Sequence, residues 1–208
     1  QEVLNQPINK TALYNVHVDL GAKFSPFGGF EMPVYYSDGI QKEYMAVRKS
    51  AGLFDVSHMG IFFISGNNST DFLQVMTINN VKKLDVGDAQ YTAMCYPDGG
   101  IVDDLILYRK KDGYLLVVNA ANIKKDFDWL NQHIPKNVTL KNQSDYYSLI
   151  AIQGPLSRRI LSNFTSINLE MPFYTFAEGA VCDFQVMVSR TGYTGELGYE
   201  IYGNSNQI

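Results

Sequence analysis

The chain has 208 residues, 46% of them hydrophobic and 18% charged, enough for one large or two small domains with a full core. Aromatic residues make up 13%, against 17 Gly and 7 Pro, which excludes disordered and fibrous classes. The net charge of −4 and the lack of an extended basic run argue against nucleic acid as a partner, and no apolar run is long enough to cross a bilayer as a helix. Residues 1–8 lack the basic start and apolar stretch of a signal peptide, so the expectation is a soluble, cytoplasmic protein.

In chain order, residues 1–9 read as a loose polar lead-in. The spacing of Ile40, Tyr44, Val47 and Ala51 predicts a helix over 38–51, closed by Gly52. A buried strand is expected over 60–65 and a short helix over 69–76. Strand patterns over 89–96 and 101–109 flank Pro97-Asp98-Gly99-Gly100, a strong turn signal, and a second turn at 110–113 leads into a strand over 114–118. A helix over 120–133 follows, with Ile123, Phe127 and Leu130 on its apolar face. Further expectations are a strand over 149–153, a helix over 155–161 opened by Pro155, and strands over 181–189 and 199–202. Hairpin-linked strands mixed with helices indicate an α+β fold, mostly antiparallel.

Cys95 and Cys182 lie far apart in strand-like surroundings and are expected to be buried, inert thiols. His17, His58 and His133 have no partners at metal-ligand spacing, so no metal site is expected. Asp55-Val56-Ser57-His58 holds the residue types of a hydrolase triad, but near neighbours on one strand cannot converge on a single atom. Asp103-Asp104 is more suggestive, because two acids interrupt an apolar strand and burying a carboxylate is costly without partners. Alternation sends them to opposite faces, Asp104 with Ile106 and Tyr108, Asp103 with Leu105 and Leu107. Two readings stand side by side: chemistry, or a turn cap at Asp103 with backbone donors to Asp104. The glycine-rich stretch over 190–200 runs into a strand, not a helix, which disfavours a phosphate cradle. It suits a loop presenting Tyr193 and Glu200 to a flat polar ligand, or a hairpin without any ligand.

Six blocks then resemble one family in order and spacing. They are Gly28-Gly29-Phe30-Glu31-Met32-Pro33-Val34, Phe54-Asp55-Val56-Ser57-His58-Met59-Gly60, Gly99-Gly100-Ile101-Val102-Asp103-Asp104-Leu105, Val117-Val118-Asn119-Ala120-Ala121-Asn122, Gln153-Gly154-Pro155 and the 190–200 stretch. The family is the glycine cleavage system T-protein. The resemblance implies an aminomethyltransferase that passes methylene from the aminomethyl-lipoyl arm of H-protein to tetrahydrofolate, with release of ammonia and no metal. It places the key acid on Asp104 and the folate-binding carboxylate on Glu200. Tyr193, Tyr91, Met59 and Tyr108 fall on pocket positions, and Asn119 on a polar contact. It further implies a discontinuous folate-binding domain over 1–65 and 145–208, and a ferredoxin-like domain over 66–144. The family's C-terminal β-barrel domain is expected to lie outside these 208 residues. Alternatives are a folate-dependent demethylase of the same superfamily or a non-catalytic folate-binding module. The strands around 181–202 are then expected to leave Phe184, Val186, Val188, Tyr199 and Ile201 partly uncovered, favouring self-association or a covering segment.

Overall fold

In a computed structural model describing residues 8–207, the elements follow in the order α1 (Tyr14–Asp19), β1 (Lys23–Phe27), β2 (Phe30–Tyr35), α2 (Ile40–Lys49), β3 (Gly52–Asp55), β4 (Gly60–Ser65) and α3 (Ser69–Met76). Then come β5 (Ala89–Cys95), β6 (Ile101–Lys110), β7 (Gly113–Val118), α4 (Ile123–His133), β8 (Thr139–Asn142), β9 (Tyr147–Gln153), α5 (Ser157–Leu161), β10 (Phe176–Val181), β11 (Phe184–Ser189) and β12 (Gly198–Asn204). Of the expected lead-in, residues 1–7 lie outside the described residues. Asn9 is not loose, since its N–H donates to the Gly29 carbonyl at 3.0 Å and its own carbonyl accepts from Glu31.

The strands form a β1-β2 hairpin and two five-stranded antiparallel sheets, ordered β5-β6-β7-β4-β8 and β10-β11-β12-β9-β3. Within the first, the order β6-β7-β4-β8 with α3 and α4 is the ferredoxin-like arrangement, and β5 adds an edge strand. Strand β4 pairs with β7 and β8 and so belongs to the first sheet, whereas β3 pairs with β9 in the second.

Both faces of the first sheet are covered, which is why β7 is an unbroken apolar run with every residue buried. On one face, Phe62, Leu107, Tyr114, Leu116 and Val118 pack with Phe72 and Leu73 of α3 and Leu130 of α4. On the other, Ile61, Tyr108, Leu115 and Val117 meet Leu149, Met187 and Tyr202 of the second sheet. The far face of the second sheet carries Ile152, Val188 and Tyr199 under Leu161 and Leu169.

Four expectations change. The strand expected over 181–189 is two strands, with the chain reversing at Cys182-Asp183; Cys182 there has φ 52° and is exposed, not buried. Val188 and Tyr199 are fully buried and Val186 and Ile201 partly so, because α5 and the Ile167–Leu169 segment cover them; Phe184 alone stays exposed, at 44%. The supposed apolar face of α2 buries only Val47, leaving Ile40 and Tyr44 exposed. Finally, α1, β1, β2, β3 and β8 escape the sequence patterns, the first hairpin partly because Pro26 and Pro33 sit inside its strands.

Candidate active site

A cavity of about 430 Å³ opens between the two sheets. Its floor is β6, where alternation turns Asp104 and Ile106 toward the second sheet while Asp103, 8% exposed, faces the α3/α4 side. Tyr91 lies opposite Ile106 on β5. Glu200 and Tyr202 enter from β12, Tyr193 from the loop before it, and Val56, His58 and Met59 from the β3–β4 loop. The β1-β2 turn supplies Phe27 and Gly28. At φ 56°, a Cβ on Gly28 would lie 2.8 Å from the Ala120 Cβ, so glycine allows the hairpin tip to close on the segment after β7.

Asp104 is held from two sides. The Tyr91 hydroxyl donates to its Oδ2 at 2.6 Å and Asn119 Nδ2 donates to its Oδ1 at 2.8 Å. The bond to Asp104 pushes the Tyr91 phenol up to about 12, keeping it a protonated donor. The backbone-donor reading of Asp104 is not what is seen. Asp103 does not cap its turn either; that role belongs to Asp98, whose Oδ1 accepts from Gly100 N at 2.9 Å.

Glu200 is 8% exposed and accepts from the Thr191 hydroxyl. Burial pushes its carboxyl up, against hydrogen bonds from Thr191, Tyr202 and Tyr108. Tyr108 itself is fully buried and does not line the cavity, contrary to the pocket role expected of it. It bonds Tyr202 at 2.8 Å and stands behind Glu200, because the second sheet covers its end of β6. Met59, Tyr91, Asn119 and Tyr193 do line the cavity, with Tyr193 78% exposed at the rim.

Gly192 and Gly198 serve the protein's own packing. A Cβ at Gly198 would fall 2.2 Å from the Gln153 side chain, which bonds the Thr191 carbonyl and Thr194 Oγ1. No Lys or Arg lines the cavity among the described residues. Sequence reasoning missed Phe27 and Thr191 as site residues; both sit inside resembling blocks or directly beside them, but nothing local marks them. It also missed the partner of Asp55, which is His17 at 2.9 Å rather than His58. His58 instead lies edge-on to Phe27 at 5.4 Å, and burial pushes its pKa down, favouring neutral imidazole.

A sequence profile described as the GCVT N-terminal domain matches residues 13–208. The chain belongs to that family. As a GCVT N-terminal domain it is 53% identical over 194 residues to an aminomethyltransferase of Chloroherpeton thalassium, covering 92% of this chain and 53% of that protein. It is 49% identical over 202 residues to the Bacillus subtilis aminomethyltransferase, covering 96% and 56%. The crystal structure of glycine cleavage system aminomethyltransferase T from Bartonella henselae superposes with a TM-score of 0.89 at 32% identity, over 97% of this chain and 55% of that one. This GCVT domain thus spans about half the length of the relatives it matches.

Proposed function

We propose that this chain carries the tetrahydrofolate site of an aminomethyltransferase of the glycine cleavage system, taking methylene from the aminomethyl-lipoyl arm of H-protein and releasing ammonia. The observation that carries the reading is a cavity lined by aromatic and apolar side chains with two carboxylates, Asp104 and Glu200, and no lysine or arginine among the described lining residues. Such a lining suits a heterocycle rich in N–H donors. Glu200, buried beside the hydroxyls of Thr191, Tyr108 and Tyr202, would accept paired N–H groups of the pterin edge, as carboxylates do well. Tyr91, Tyr193 and Met59 would pack against the flat ring. Asp104, fixed by Tyr91 and Asn119, would orient the acceptor amine and hold its proton. Bound tetrahydrofolate supplies the nitrogen that accepts the one-carbon unit. The remaining half of the longer relatives would complete the site, and a cytoplasmic location belongs to the same proposal.

Titration calorimetry with tetrahydrofolate on Glu200→Gln tests it. Affinity is expected to fall by about 2–5 kcal/mol, the cost of truncating a buried charged hydrogen bond. An unchanged dissociation constant would place the pterin elsewhere.

A further inference from the structure

Asp126 lies in the first turn of α4 and is fully buried. Among the described residues neither of its carboxylate oxygens has a hydrogen-bond donor, and Asp103 Oδ2, which belongs to the same contact between α4 and β6, has none either. Ionised carboxylates buried without donors are strongly disfavoured, and two facing each other are worse. A single proton resolves the conflict. An Asp126 O–H donating to Asp103 Oδ2 gives both groups a partner and leaves one negative charge. We infer that Asp126 is held as the neutral acid, its proton shared with Asp103, and that this pair positions Asn119 and, through it, Asp104.

The surroundings favour the proton on Asp126. Asp103 keeps a further donor in Asn119 Nδ2, at 3.1 Å; against its burial, hydrogen bonding with Asp126 first, then Asn122 and Asn119, holds it below the usual carboxylate range. Burial first, then Asp103 and Asp104 from β6, push Asp126 up to about 8. Lys125 on α4 opposes this, but its ammonium is engaged by the Val102 carbonyl at 2.5 Å.

Asn119 connects the pair to the cavity. Its Nδ2 reaches Asp103 Oδ1 at 3.1 Å and Asp104 Oδ1 at 2.8 Å, so one amide spans the two faces of β6. With Asp126 protonated, Asp103 is satisfied at both oxygens and the amide can divide its hydrogens between the two aspartates. Loss of the proton leaves Asp103 Oδ2 bare beside a second charge. The amide is then drawn toward Asp103 and away from Asp104. The importance of this for transfer rests on the role proposed above for Asp104; the proton itself does not.

The tests need no activity. Infrared spectra at pH 7 should show a protonated-carboxyl band in the wild-type protein that Asp126→Asn removes. The unfolding equilibrium, compared between wild type and Asp126→Asn from pH 5 to 8, should move against the wild type by about tenfold per pH unit, since one proton is bound only in the folded state. The side-chain amide resonance of Asn119 should shift through about pH 8 in wild type and stay still in the variant. Asp126→Asn keeps an N–H donor for Asp103 and should fold; if it does not, Asp103→Asn should move the carboxyl titration to lower pH. Absence of the band, or parallel pH curves, overturns the shared proton. A band with a static Asn119 resonance overturns the coupling. Failure to bind tetrahydrofolate with these signals intact would count against the folate reading alone.

Discussion

Asp55 and Asp126 are both aspartates with fully buried side chains, and each stands behind residues that line one cavity, Asp55 bonded to the 56–59 loop through Ser57 N and Asp126 linked to Asn119 through Asp103. Burial pushes both carboxyls up. Asp55 is nevertheless lowered, because Thr11 Oγ1 at 2.6 Å, His17 Nε2 at 2.9 Å and Ser57 N at 2.9 Å all converge on it. Asp126 meets another carboxylate instead and is raised. Burial sets the cost, but the donors within reach set the charge state. One wall rests on a fixed anion, the other on a proton that can leave.

The largest effect is expected where the second brace reaches the cavity. Asp104→Asn should leave the fold intact and lower methylene transfer by about 10²–10⁴-fold, the usual range for a positioned acid–base group, measured in a context that supports turnover. Asp103→Asn should act more mildly and indirectly; the reverse ranking would reassign the key acid. Next, Asp55→Ala removes the anion from under three donors and strands His17. A loss of about 3–5 kcal/mol is expected in urea unfolding at pH 7. A loss below 1 kcal/mol would mean the corner is solvated in a way the geometry does not show.

The two braces should also respond to pH with opposite sign. Asp55 is held below its unfolded value, so its stabilisation is present above about pH 4 and is lost as pH falls through the folded-state value. Asp126 is held above its unfolded value, so its contribution is full in acid and is lost as pH rises toward about 8. Difference curves of wild type against Asp55→Asn and against Asp126→Asn should therefore slope in opposite directions. The smallest effect concerns Tyr36, whose hydroxyl bonds His17 Nδ1 at 2.8 Å. Tyr36→Phe should cost about 0.5–1.5 kcal/mol. An unchanged midpoint would show that the His17 ring is oriented by Asp55 alone.

Much of the molecule was legible where the signal is local. The Pro97-Asp98-Gly99-Gly100 turn and the alternation on either side of it gave β5 and β6 to within a residue or so. The helix expected over 120–133 appears as a short 3-10 turn followed by α4. Parity along β6 separated Asp103 from Asp104 correctly, and with it the cavity side from the core side. The same parity grouped Tyr108 with Asp104. It could not show that the second sheet closes over one and leaves the other open.

What residue order determined by itself was which side chains share a face: period two in the strands and 3.6 in the helices follow from backbone geometry alone. Six ordered blocks along the chain carry the resemblance to one family without reference to the fold. What only tertiary structure decided was what stands across from each face. Pro26 and Pro33 fit strands because their hairpin is a separate two-stranded sheet, and Val188 and Tyr199 are covered because α5 and the segment before β10 fold back over them. Asp55 found donors from residues 11, 17 and 57, whereas Asp126 found Asp103. Charge, burial and partner are properties of a place in space, and for each of these residues that place is made by chain segments distant in sequence.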